Sequence, residues 1–182
     1  MCSSDLYGRP KALGEGWLAR SVTALADGGC APVVVVLGAR AADAAPLLAD
    51  ADVRVVVAED WAEGMAASLR AGLAAVPPES DAVVVTLVDL PDVDAPVIAR
   101  LRAHAGRQAL ARAVYGGRPG HPVLLGRDHL AAIARAAEGD RGAGPYLRAH
   151  AATPVECGDL ATGRDEDTPA AGSRDLPSPP PS

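Results

Sequence analysis

Phenylalanine does not occur among the 182 residues, and aromatic residues of all kinds make up only 3%. Since 49% of the chain is apolar, there is material for a sizeable core. Val, Leu and Ala must fill it in small, closely packed layers. The three cysteines, Cys2, Cys30 and Cys157, lie far apart with no Cys-x-x-Cys pair, so they read as reduced thiols of a cytoplasmic protein. No apolar stretch approaches the length of a membrane span. The opening residues Met1 to Tyr7 have neither the basic nor the apolar region of a signal peptide. Also missing are a basic block, zinc-ligand spacing and aromatic residues interleaved with basic ones. Together with a net charge of −6, this excludes nucleic acid as the expected partner and leaves nucleotides as small molecules open. Neither a Walker A loop nor a Gly-x-Gly-x-x-Gly after a strand is present.

What is present is an alternation of short Val-rich runs with helical spacing. Ala82 to Leu87 reads as a strand buried on both faces, which explains so many valines, Val33–Leu37 as a second buried strand, and Val53–Val57 as a third strand. Helices are expected over Trp17 to Ala26, Ala41 to Ala49, Met65 to Val76 and Ala95 to His104, with Asp94 as a cap. Ala109 to Tyr115 and His121 to Leu125 read as a hairpin with a long loop, Gly116 to Gly120. Helical segments at Asp128 to Ala137 and Pro145 to Ala149 and a strand at Thr153 to Cys157 follow. The class is therefore α/β with a mostly parallel sheet. One domain is expected over 1–169, and the Pro- and Ser-rich tail over 170–182 reads as disordered.

Several positions carry candidate chemistry, each with an ordinary alternative. Asp89 follows the apolar run and precedes Leu90-Pro91. It either caps the next turn or stands at a strand's carboxyl end, the edge where open α/β sheets bind ligands, as a ligand for Mg²⁺. Gly8-Arg9-Pro10-Lys11 is either a solvated basic turn or a pair of cations for a triphosphate. Gly64 lets a backbone approach closely at the start of a helix, and Ser68 bonds either a nucleotide or its own backbone. His121, after a Gly-rich turn, is structural or substrate-contacting. Asp165 to Asp167 is a solvated acidic turn or a second carboxylate source for the metal.

In order along the chain, six stretches resemble the MobA-like nucleotidyltransferase family, which includes the molybdenum cofactor cytidylyl- and guanylyltransferases. They are Gly8-Arg9-Pro10-Lys11, Gly64-Met65-x-x-Ser68-Leu69-x-x-Gly72-Leu73, Val88-Asp89-Leu90-Pro91, Gly120-His121-Pro122-Val123, Gly139-Asp140-x-Gly142-Ala143 and Asp165-x-Asp167-Thr168-Pro169. The resemblance implies a three-layer Rossmann-like fold of the nucleotide-diphospho-sugar transferase type. It implies a Mg²⁺-dependent transfer of a nucleoside monophosphate from an NTP to a phosphate-bearing acceptor such as molybdopterin. Gly64-Met65, His121-Pro122 and Asp-x-Asp-Thr-Pro look more like the cytidylyltransferase side, so CTP is the favoured NTP. By position, Arg9, Lys11, Gly64 and Ser68 would contact the nucleotide, with Lys11 and Asp89 as the catalytic pair. Asp89 and Asp167 would hold Mg²⁺, and His121 and Asp140 would face the acceptor.

The family opens with a strand and a Leu-Ala-Ala-Gly-x-[Ser/Gly]-x-Arg-Met loop, which Met1 to Tyr7 do not match. The resemblance therefore implies a domain incomplete at its amino end, lacking an inner strand and carrying unpaired sheet edges. Gly144 stands where Arg is common, and the family's acidic residue and helix after Pro169 are missing. Two further readings stay open. One is a nucleotide-binding remnant without catalysis. The other is an oxidoreductase, since Trp61-x-x-Gly64-Met65 and Tyr115 to Pro122 are similar to stretches of the nicotine-blue oxidoreductases. The acceptor and the oligomeric state are not fixed by the sequence.

Overall fold

A computed structural model describes residues 16–165. Gly28 and Gly29 end the first helix, α1 (Trp17–Asp27), and the valine runs that follow form β1 (Val33–Leu37) and β2 (Val53–Val57), paired parallel and in register from Val33 with Val53 to Leu37 with Val57. Between them α2 (Ala41–Ala44) tightens into a 3₁₀ turn over Ala45–Leu48, with Pro46 at its start. The single helix expected over Ala41 to Ala49 is thus divided where proline removes a backbone donor. Then come α3 (Met65–Ala74), β3 (Ala82–Val85), α4 (Ala95–Arg102), β4 (Leu110–Tyr115), β5 (Arg118–Gly126), α5 (Arg127–Ala136), α6 (Gly144–Ala149) and β6 (Thr153–Glu156). Asp94 occupies the position before α4, but its side chain makes no capping hydrogen bond.

The class is α/β, as expected, but the strands divide into two sheets. β1 and β2 form one; the other has the order β3-β5-β4-β6, with β5 antiparallel to β3 and β4, and β6 parallel to β4. Among the described residues no strand pairs with the second edge of β1 or of β3. That corrects the expectation for β3. Its four residues are all half-buried rather than buried on both faces, and among the described residues only β5 lies alongside it. Helices still cover both faces. α1 packs on β1 and α4, and α4 on β3, β4 and β5; on the other side α3 packs on β1, β2 and α5, which in turn packs on β5.

The hairpin is tighter than its composition suggests. Gly116 and Gly117, with φ of 58° and 78°, make the whole turn from β4 to β5, the left-handed pair that a two-residue hairpin needs. The Glu156 carboxylate accepts from the Gly116 N–H at 3.0 Å and the Gly158 N–H at 2.8 Å. These bonds hold the acid below the usual carboxylate range.

The core is aliphatic, as the missing phenylalanine requires. Ile98, Leu101, Ala113, Leu124 and Cys157 are fully buried on the α4 face, and Leu125 and Ile133 on the α5 face. Ile98→Ala should lower stability by about 2–5 kcal/mol, read as a shift in the urea midpoint at unchanged m. A loss below ~1 kcal/mol would show that this face is loosely packed.

Candidate functional site

Strand direction gathers the candidates at one edge. β3 runs toward Asp89, four residues beyond its end, and β5 enters from the same side because it is antiparallel to β3, Val85 facing Val123. His121 therefore arrives beside the chain leaving β3. α3 follows β2 across a short loop, so its first turn also stands at the carboxyl edge of the parallel strands, where ligands of open α/β sheets bind.

His121 sits in a bulge. Arg112 faces Val123 and Val114 faces Pro119, so three residues of β5, Gly120, His121 and Pro122, stand opposite Ala113 alone. Such an insertion re-aims a side chain and removes ladder bonds. Two side chains of β4 take up the released carbonyls. The Tyr115 hydroxyl donates to the His121 carbonyl at 2.6 Å, and Arg112 Nε donates to the Gly120 carbonyl at 2.9 Å. Burial pushes the Tyr115 phenol up, so it remains a donor. A Cβ on Gly120 would stand 2.8 Å from the Tyr115 ring, which keeps this position to glycine.

Burial, reinforced by the Arg112 cation, pushes His121 down to about 4, and Asp89 acts in the opposite sense. At neutral pH it is an uncharged imidazole beside a carboxylate. The seven residues from Thr86 to Asp92 bury three side-chain oxygens: Thr86 Oγ1, Asp89 Oδ1 and Asp92 Oδ1. Thr86 Oγ1 and Asp92 Oδ1 make no hydrogen bond with any described residue. The other Asp92 oxygen accepts from the Thr162 N–H and hydroxyl, both at 2.6 Å. Buried oxygens left without donors suit a hard cation, which takes oxygen ligands and completes its shell with water and phosphate. The donor set at this edge therefore fits Mg²⁺ or Mn²⁺. No group of three His, Cys, Asp or Glu side chains able to hold a metal occurs among the described residues.

Gly64 and Asp140 meet, although 75 residues separate Asp140 from Met65. Asp140 Oδ1 accepts from the Met65 N–H at 3.4 Å, and a Cβ on Gly64 would stand 2.7 Å from that same oxygen. With φ of 106° as well, Gly64 has two reasons to be glycine. This places Asp140 at the amino end of α3, where a carboxylate is favoured by the helix dipole. Ser68 lies one turn before Gly72, whose Cβ position is 3.0 Å from Val36. The helix face carrying both therefore lies against β1. Ser68 Oγ is buried there and makes no hydrogen bond with any described residue. Arg9, Lys11 and Asp167 lie outside the described residues. Arg112, Tyr115, Thr86 and Asp92 are not among the site residues expected from the sequence. The first three fall inside expected strands, and only the bulge and the orphaned oxygens single these four out.

A MobA-like NTP transferase domain matches residues 7–154. The chain is 32% identical over 172 residues to the nicotine blue oxidoreductase of Paenarthrobacter nicotinovorans, covering 87% of this chain and 84% of that protein. Among solved structures, Rv0371c of Mycobacterium tuberculosis is 26% identical with a TM-score of 0.73, covering 85% of this chain and 83% of its own. Its complex with manganese gives 27% and 0.70, over 82% and 81%. A nucleotidyl transferase of Methanothermobacter thermautotroptrophicus shares the fold at 22% identity and a TM-score of 0.67, over 84% and 72%. No described helix is long and apolar enough to cross a membrane.

The state of His121 has a measurable consequence. Its pKa of about 4 lies below the ~6.5 of a free imidazole, so the unfolded chain takes the proton first. The stability gained from the neutral ring is fully present above ~6.5 and is lost as the pH falls toward 4, roughly 3 kcal/mol in all. Denaturation midpoints from pH 7 to 4 should fall more steeply for the wild type than for His121→Gln. Parallel profiles would refute the burial argument.

Proposed function

The chain belongs to the MobA-like NTP transferase family, and from that premise we propose that it moves a nucleoside monophosphate from an NTP to a phosphate-bearing acceptor. The observation that carries this reading is Asp89, set by β3 at the carboxyl edge of the strands with buried oxygens on either side. CTP is the favoured donor and a molybdopterin-like phosphate the favoured acceptor, on the cytidylyltransferase-like residues Gly64-Met65 and His121-Pro122.

The reaction asks little acid–base work of the protein. An anionic acceptor oxygen forms a bond to the α-phosphorus, the bond from that phosphorus to the bridging oxygen breaks, and pyrophosphate leaves with the electron pair. Catalysis is then positioning and charge neutralisation. A bound divalent cation would supply charge neutralisation and orientation at the phosphates. Asp89, with Asp167 as the second carboxylate, would hold it. Arg9 and Lys11 would neutralise the triphosphate. Gly64 and Ser68, at the start of α3, would meet the nucleotide, while Asp140 keeps that start in place. His121, uncharged, can accept or donate one hydrogen bond toward the acceptor without drawing the cation's counter-charge to itself.

A second reading rests on the 32% identity to a protein named as a nicotine blue oxidoreductase. It predicts oxidation of NADH or NADPH in the presence of a quinone-like dye, and no turnover would end it.

Pyrophosphate release from CTP, GTP, ATP and UTP, each with Mg²⁺ or Mn²⁺ and a pterin or sugar phosphate, tests the first reading. Release should be greatest with CTP, and Asp89→Asn should reduce it about 100-fold or more. Release that Asp89→Asn leaves unchanged would remove Asp89 from the site. No release from any NTP would sink the transfer reading.

A further inference from the structure

Five arginines, Arg40, Arg70, Arg100, Arg107 and Arg141, have carboxylate partners in Asp43, Glu63, Asp159, Asp81 with Asp128, and Glu138. Others, such as Arg54, Arg102 and Arg127, bond backbone carbonyls. Arg112 and Arg148 likewise have no carboxylate partner among the described residues, and these two line one cavity of about 240 Å³ walled by Val114, Pro119, Leu147 and Pro154. Arg112 is half-buried. Its Nε is committed to the Gly120 carbonyl, and its two terminal nitrogens make no hydrogen bond with described residues. Burial, and then the neighbouring Arg148 cation, lower its proton affinity. A guanidinium cannot escape such repulsion by losing its proton near neutral pH. What relieves two uncompensated guanidiniums facing one cavity is an anion, and their planar donors match phosphate or carboxylate oxygens.

The cavity adjoins the site already described. Arg112 holds the bulge that carries His121, and His121 senses both Arg112 and Asp89. The order is Asp89, His121, Arg112, Arg148, from a carboxylate suited to a cation to a cation pair suited to an anion. The walls between the two guanidiniums are aliphatic, so they also offer contact to an apolar body attached to the anion.

We propose that the Arg112–Arg148 cavity seats an anionic end of the acceptor, a phosphomonoester or a carboxylate, with the acceptor's apolar body lying on Val114, Leu147 and Pro154. Calling the ligand an acceptor rests on the nucleotidyl-transfer reading; the anion site itself does not.

Binding without nucleotide or divalent metal separates the two. The ¹⁵N-labelled protein is titrated at constant ionic strength with inorganic phosphate, phenyl phosphate and benzoate. Saturable shifts are expected at the Val114 and Leu147 amides, with phenyl phosphate binding more tightly than inorganic phosphate because of the apolar wall. The tighter of phenyl phosphate and benzoate names the anion. Arg148→Gln should weaken binding about tenfold, whereas Arg135→Gln, on the exposed side of α5, should not. Arg148 is the variant of choice because it is exposed and holds no backbone group, and an unchanged melting temperature would show that its fold is intact. No saturable shift, or shifts that Arg148→Gln leaves as they were, would overturn the anion site. Binding that CTP displaces in the absence of metal would overturn its assignment to the acceptor. An intact anion site in a chain that releases no pyrophosphate from any NTP would overturn the transfer reading alone.

Discussion

β5 is the strand on which the arrangement depends. It must pair with β3 on one side and β4 on the other, and it meets the two demands differently. Against β3 it runs in register from Ala82 with Gly126 to Val85 with Val123. Against β4 it carries three residues in the space of one. The mismatch is absorbed at Gly120 to Pro122, beyond the last residue that β3 contributes. Backbone carbonyls released from a ladder must find donors, and here Tyr115 and Arg112 supply them from the two faces of β4. The position of His121 is thus a consequence of sheet geometry. Its burial, and hence its neutrality, follows from that position.

The division into two sheets changes what holds the halves together. With β1 and β3 each paired on one side only among the described residues, no ladder hydrogen bond joins them. Side-chain packing does so instead. α1 lies on both β1 and α4, and α3 on both β1 and α5. Val88, just past β3, packs against the cluster of Leu18, Val33, Val35 and Leu37. Apolar packing is less directional than a ladder, and among the described residues the half-buried valines of β3 stand at a sheet edge.

Much of this was legible in the sequence, for identifiable reasons. The valine runs reported strands because few other residues were available to fill the core. Gly28-Gly29 marked the end of the first helix because glycine alters the backbone itself, whereas the break at Pro46 lay hidden in an alanine-rich run of helical composition. The hairpin was misread because Arg118-Pro119-Gly120 has turn composition, while two left-handed glycines already closed the chain. Proline is tolerated there because Pro119 lies at the start of the strand. The contact of Gly64 with Asp140 was invisible in principle, since no local pattern links residues so far apart. Arg112 and Tyr115 were invisible for a different reason. In a strand, a residue's role depends on what its partner strand does opposite it, and the bulge is a property of the pair.

The charge order along the rim has a consequence for how two ionic ligands could share it. Had His121 been protonated, it would have joined Arg112 and Arg148 as a third cation and set positive charge directly against the place where Asp89 would hold a metal. Unlike-charge attraction between Asp89 and an adjacent imidazolium would also compete with that metal for the carboxylate. Burial removes both problems by keeping the ring neutral. The cost of burying an ionisable side chain is offset by separation, an oxygen-rich end for a cation and a guanidinium end for an anion, with an uncharged hydrogen-bonding group between them. In the proposed reaction those two ends correspond to the leaving pyrophosphate with its metal and to the acceptor's far anion. The bond to be made would then lie between opposite charges held apart by the fold, and the acceptor's own repulsion from the triphosphate would be met on its far side by Arg112 and Arg148.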